Sequence, residues 1–300
     1  MKYLLYILFF IVTVPGFSQY YPGYSQYMFN GLAINPAYAG SREVLSMTGS
    51  SRNQWLGFKG APKTYYFSAH TPLMKNRLGL GFQIINDNIA VSHNTIMQLN
   101  YAYRFPLRKG HFSLGLSTSL QFLSSYWQDI YTIDNYDVVF EKNYHETMLN
   151  FGVGIYYYTP DFYFGLSSPL LLPYQQEIIV SDSVNLSANN YLITSGHKFK
   201  MNKYWSIEPS FLFKIFPEQA AQLDLNCNVS YNNVIWTGFS LRSEDAFVWL
   251  FEIKVLPQLQ IGYTHDFTFS KIRKYSDGTN EFFLRYEVGY KTNAKPIKYY

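Results

Sequence analysis

The chain has 300 residues, a formal net charge of +4, 48% hydrophobic residues and a mean hydropathy of -0.13. That mean is too polar for a bundle of membrane-spanning helices, and so small and dispersed a charge argues against nucleic acid as a partner. The 29 Tyr and 25 Phe exceed what an ordinary soluble domain uses, whereas aromatic girdles at two membrane interfaces would account for them.

At the N-terminus, Lys2 precedes an apolar run from Tyr3 to Val14, and Gly16 and Ser18 place small residues where a signal peptidase reads. This predicts an export signal over 1–18, with the mature chain starting at Gln19. The next segment, 19–43, is not strand-like. Pro36 fixes its backbone, Gly40 permits a sharp bend, and Asn30 and Asn35 offer side chains to local backbone groups. With Tyr20, Tyr21, Tyr24, Tyr27, Phe29 and Tyr38 it is too apolar to hang free in the periplasm. It is expected to tuck into a barrel lumen as a plug, or to pack on the periplasmic rim as part of a docking surface.

From 44 to 290, about fourteen stretches alternate apolar with small or polar residues at period two. In one, Phe112, Leu114, Leu116, Leu120 and Phe122 share a face opposite Ser113, Gly115, Ser117, Ser119 and Gln121. In another, Leu223, Leu225, Cys227 and Val229 oppose Gln222, Asp224, Asn226, Asn228 and Ser230. One face suits lipid and the other a wet lumen. Alternation alone would also fit a soluble sandwich. The connections decide between them: tight turns at 72–76, 106–110, 159–161, 201–203, 231–233 and 256–258 alternate with mostly longer loops, notably 124–146 and 168–189. Short turns on one rim and long loops on the other predict an all-β fold, a transmembrane antiparallel up-and-down β-barrel of the outer membrane, its sheet closed on itself and surrounded by outer-membrane lipid.

By parity Arg104, Glu208, Lys214, Asp224, Glu252, Lys254, Asp266, Arg285 and Glu287 face the lumen. Mixed signs favour paired charges and a filled interior over the rings of one sign that line a selective pore. Cys227 falls on the lipid side. The periplasmic rim reads as basic, with Lys75, Arg77, Arg108, Lys109, Lys198, Lys200 and Lys203, and the long loops as acidic. Trp127, Tyr131 and Tyr136, spaced among acids in 124–146, are candidate contacts for an exported protein. The six His show no HExxH spacing and no G-x-S-x-G elbow occurs, so no catalytic site, metal or cofactor is expected.

Several segments share an order with a known family. They are Asn35-Pro36-Ala37-Tyr38-Ala39-Gly40, Arg52-Asn53-Gln54-Trp55-Leu56-Gly57-Phe58, Ser68-Ala69-His70-Thr71-Pro72, Leu78-Gly79-Leu80-Gly81-Phe82, Trp236-Thr237-Gly238-Phe239 and Gly262-Tyr263-Thr264-His265-Asp266. In that order they resemble the PorP/SprF family of outer-membrane proteins associated with the type IX secretion system of Bacteroidota. The resemblance implies a non-enzymatic accessory of secretion. Its implied partners are a periplasmic peptidoglycan-binding lipoprotein, components of the type IX ring, and a secreted protein with a C-terminal sorting domain, such as a gliding adhesin. Asn30, Asn35, Pro36, Ala37, Tyr38, Gly40, Arg52, Trp55 and Gly57 are the motif residues expected to make plug or partner contacts. A channel or transporter for small solutes is the alternative. The tail 291–300 extends past the point where family members commonly end.

Overall fold

A computed structural model describes residues 27–74, 76–129, 142–172, 190–216 and 220–288. The predicted signal, residues 19–26, Tyr131, Tyr136 and the tail lie outside them. Fifteen strands form one antiparallel sheet that closes on itself. They are β1 (Leu45–Asn53), β2 (Lys63–Leu73), β3 (Leu78–Ile89), β4 (Ser92–Leu107), β5 (Gly110–Ser125), β6 (Tyr144–Tyr158), β7 (Phe162–Ser168) and β8 (Tyr191–His197). The remainder are β9 (Phe199–Lys200), β10 (Trp205–Ile215), β11 (Gln222–Tyr231), β12 (Ile235–Arg242), β13 (Ala246–Leu256), β14 (Leu259–Thr268) and β15 (Thr279–Val288).

Apart from β8 and β9, strands adjacent in sequence pair with each other, and β1 pairs with β15 from Leu45↔Val288 to Asn53↔Asn280. β8 and β9 lie end to end against β10, so the ring has fourteen positions. Closure through β1 and β15 turns the sheet into a ring, the condition for a sheet in hydrocarbon.

The strands obey the predicted parity. On β5, Ser113, Ser117, Ser119 and Gln121 are buried inward while Leu114, Leu116 and Leu120 are exposed outward. Cys227 faces outward on β11. Outward aromatics pair near both ends of the strands, Tyr103 with Phe105 (4.7 Å) and Trp205 with Tyr231 (4.8 Å) on the turn side, Phe239 with Phe247 (5.1 Å) on the loop side. These are the expected girdles. The six tight turns stand where they were predicted. On the opposite rim, two connections are shorter than the sorting rule suggests, with only 90–91 between β3 and β4 and 243–245 between β12 and β13.

The inward face departs from a wet lumen. Tyr66, Ile85, Ile96, Tyr156, Trp236, Val248, Leu250 and Phe283 all point inside and are buried. They pack in three apolar clusters built around Tyr27, Phe29, Leu32, Ala33, Ile34, Ala37 and Tyr38. An apolar inner wall is stable because an apolar segment of the same chain covers it.

Candidate functional site

The segment from Tyr27 to Ser41 runs inside the ring as three short 3-10 turns, Tyr27–Phe29, Gly31–Ala33 and Pro36–Tyr38. The short turns satisfy some of the segment's carbonyls locally, as Asn30 N–H does for Tyr27 and Ala33 N–H for Asn30, but such turns cannot serve every one, and a buried carbonyl needs a donor. The barrel wall supplies them. The carbonyl of Phe29 accepts from Arg285 on β15, Leu32 from Gln83 on β3 (3.1 Å), Ile34 from Ser167 on β7 (2.5 Å), Ala37 from Ser113 on β5 (2.7 Å) and Gly40 from Arg104 on β4 (2.6 Å). β7 and β15 stand seven places apart in the ring of fourteen, so the segment bridges the lumen from one side to the other. The sequence reading placed Arg104 and Arg285 inside correctly but expected carboxylate partners for them. Both spend a guanidinium hydrogen bond on the segment's backbone instead, a stronger bond than a neutral donor would make.

The Asn-Pro-Ala-Tyr-Ala-Gly block is the tightest part. Asn35 caps the third turn by accepting from the Ala37 N–H (2.9 Å), and its amide donates to the carbonyls of Ile155 (2.9 Å) and Leu166 (3.4 Å) on β6 and β7. Pro36 opens that turn, where a missing N–H costs nothing. Ala37 is fully buried over Gly115, where a side chain would strike the backbone of Pro36 and Ala37. Tyr38 sets its ring edge-on to His70 and Tyr156, each at 5.5 Å. Gly40, at φ +73°, gives its N–H to His70 Nδ1 (3.0 Å) and crosses β3 at Gly79, where a Cβ would collide with Ala39. Asn30 is buried, but its side chain does not cap the turn that follows it.

Asn35→Ala removes the cap and both wall anchors together. A loss of about 1–3 kcal/mol is expected, because a cap alone is worth about 1 kcal/mol and the Ile155 carbonyl loses a donor. Urea unfolding in lipid vesicles reads it.

The other motif residues lie elsewhere. Arg52, near the loop-side end of β1, belongs to a chain of buried ion pairs along the inner wall from β10 round to β1 in the loop-side half. It reaches Asp266 (2.8 Å) and Glu281 (3.1 Å), while Arg242 joins Asp266 (3.3 Å) to Asp224 (3.5 Å), and Lys214 meets Asp224 (3.0 Å). The pairing of lumen charges was anticipated, but it runs along one arc of the wall from β10 to β1 rather than across the lumen, and Arg52, Arg242 and Glu281 were not on the parity list. Arg42 closes a second pair with Glu287 (2.5 Å) at the periplasmic end.

Trp55 and Gly57 sit on the β1–β2 loop, away from the inner segment. There Trp55 N–H donates to Thr279 Oγ1 (3.1 Å), and Leu56 exchanges backbone bonds with Asp277 and Gly278. Trp127 is half-buried where β5 leaves the barrel. Two of the basic rim residues are ion-paired, Lys198 with Glu208 (3.0 Å) and Lys200 with Asp161 (2.7 Å). On the opposite rim the β14–β15 connection presents Lys271, Arg273 and Lys274, while the long loops expected to be acidic lie mostly outside the described residues.

A family model described as type IX secretion system membrane protein PorP/SprF matches residues 16–286. No curated protein matches the chain. Among solved structures, the Acinetobacter baumannii outer membrane protein Omp33 is similar with a TM-score of 0.50 at 8% identity, covering 82% of this chain and 98% of that one. The CymD monoaromatic hydrocarbon channel is similar with a TM-score of 0.51 at 10% identity, covering 86% and 92%. At these identities the likeness is one of fold.

Proposed function

Because the chain belongs to the PorP/SprF family of type IX secretion system membrane proteins, and so to the outer membrane, we propose that it works by protein contacts rather than by passing solutes. In this reading the inner segment is a plug that keeps the lumen shut along its axis. The barrel is then a rigid mount whose periplasmic rim docks a peptidoglycan-binding lipoprotein and ring components, and whose loop-side rim holds or hands over a secreted protein with a C-terminal sorting domain. The observation that carries this reading is the set of five wall donors fastened to the carbonyls of residues 29 to 40. A pore would leave those donors to water, and their number and spread around the ring make the segment costly to remove. Arg42–Glu287 adds a clasp where the segment enters β1.

Affinity purification of the tagged protein, gently solubilised from its native outer membrane and followed by mass spectrometry, tests the reading. A periplasmic lipoprotein or a large secreted protein with a sorting domain is expected among the retained proteins. A barrel recovered alone that conducts in bilayers would refute the docking role.

A further inference from the structure

One strand of the ring outruns its neighbour. β6 has 15 residues and β7 has 7, and the two pair only from Val153↔Ser168 to Tyr158↔Tyr163. On its other side β6 pairs with β5 along its whole length, from His111↔Tyr158 to Ser125↔Tyr144, in one unbroken register. The stretch from Tyr144 to Gly152 is therefore a regular strand held on one side, and among the described residues no ladder partner stands on the other.

Hydrocarbon forbids an open edge, and there the chain caps it. The outward side chains of Tyr157, Ile155, Val153, Phe151 and Leu149 cover the length of strand that crosses a membrane. Near the upper end of that band the Phe151 carbonyl accepts from the Leu171 N–H (2.8 Å), and Asn150 Oδ1 accepts from the N–H groups of Phe151 (2.8 Å) and Leu171 (3.0 Å). Beyond the band the cap ends. His145 shares its register with Ser124, His93 and Asn88, all polar, so this part of β6 stands clear of the lipid. Both backbone groups of Phe151 turn to the β7 side, and the period of the strand turns those of Leu149, Thr147 and His145 the same way. Among the described residues these groups meet no backbone partner. Exposed edges are commonly blunted by Lys, Pro or a bulge, and the run from Tyr144 to Leu149 has none of them. Its one carboxylate, Glu146, shares the inward parity of Asn150 and accepts from the Tyr144 hydroxyl.

We propose that this edge takes up an extended segment of the exported protein as an added strand, with a basic side chain set against Glu146. The inference rests on the docking reading above and names the surface that does the holding. Backbone bonds to Leu149, Thr147 and His145 supply the affinity, and Glu146 supplies the choice of side chain. The direction of the edge selects the occupant. A strand's hydrogen bonds lie in the plane of its sheet, so this edge points along the wall, over the end of β7. A second barrel alongside in the membrane meets outward side chains, whereas a chain arriving at the mouth meets the edge.

The test places the photoreactive amino acid benzoylphenylalanine at Thr147 of the full-length protein in its native outer membrane, illuminates whole cells and maps the adducts by mass spectrometry. Thr95, in the same register on β4 but paired on both sides, is the reference. Thr147 is expected to capture one exported protein at least tenfold above Thr95, within a short segment that contains Lys or Arg. Thr147→Pro removes one edge donor and leaves the β5 ladder whole. With the probe moved to His145, it should cut that capture at least fivefold while the barrel keeps its heat-modifiable gel mobility. Adducts within this chain or on a second copy of it, none above Thr95, or capture undiminished by Thr147→Pro in a folded barrel would overturn the added strand. If affinity purification retains a secreted protein that Thr147 does not capture, the edge alone is refuted and the docking role stands; if it retains none and Thr147 captures none, both fall.

Discussion

Gly115→Val is expected to displace the inner segment and turn a closed barrel into a conducting one. A Cβ at 115 lands on the backbone of Pro36 and Ala37, and no flexible side chain is there to yield. Overpacking commonly costs about 1–3 kcal/mol where neighbours can shift. Here the block is also pinned by Asn35, Ser113 and Arg104, so relief requires breaking those bonds together. The expected result is new protease cleavage between Tyr27 and Ser41, together with discrete conductance steps absent from the unaltered protein. Gly49→Ala is the matched control: nothing lies within 4 Å of a Cβ there, and both properties should stay unchanged. A Gly115→Val barrel as protease-resistant as its parent would mean that the segment can seat without the glycine floor.

Arg52→Leu is expected to be the most destabilising single charge removal, by about 3–5 kcal/mol in urea unfolding. Arg52 is buried and serves two carboxylates, Asp266 and Glu281, on different strands. Removing it takes the counter-charge from Glu281 and leaves Asp266 to Arg242 alone among the ion pairs described. Because the cost arises from the carboxylate left behind, Arg52→Leu with Glu281→Leu should recover at least half of it. Failure of the double variant to recover would indicate that Arg52 acts by packing its stem rather than by its charge.

Much of this fold was legible because a membrane barrel writes its constraints locally. Period two sets the face of each residue, and the alternation of short and long connections sets which rim it approaches. Parity therefore placed Asp224, Asp266, Lys214 and Arg285 inside. The same parity puts Val248 and Leu250 on the face of Glu252, and Phe283 on that of Arg285, so what gave way for Trp236, Val248, Leu250 and Phe283 was the expectation of a polar inner face. The rule that a lumen is polar gives way where the chain supplies its own apolar filling, and no local pattern announces which wall residues the filling will cover. Asn35 could be read as a cap from its place before Pro36. Its hold on Ile155 and Leu166 could not, since that contact spans more than a hundred residues.

The glycines were the least legible signal. Gly79, Gly115 and Gly154 look like ordinary small residues in alternating strands, but together they form the floor on which residues 35–40 lie. Their role shows only when the inner segment is in place. Arg104 and Arg285 misled for a related reason. Charge on a lumen face suggests another charge as partner, whereas here the acceptors are carbonyls of a segment without regular secondary structure. Trp55 and Gly57 were grouped with the Asn-Pro-Ala-Tyr-Ala-Gly block because both segments carry the family pattern, which says nothing of where each lies. The length of β1 carries them to the opposite rim.

The claim on which the account turns is that residues 27–41 shut the barrel along its axis, and planar-bilayer recording of the purified, unaltered protein tests it most directly. The account predicts a silent membrane over the applied voltage range, with steps appearing only in Gly115→Val at the same protein density. Stable unit conductance from the unaltered barrel would contradict it.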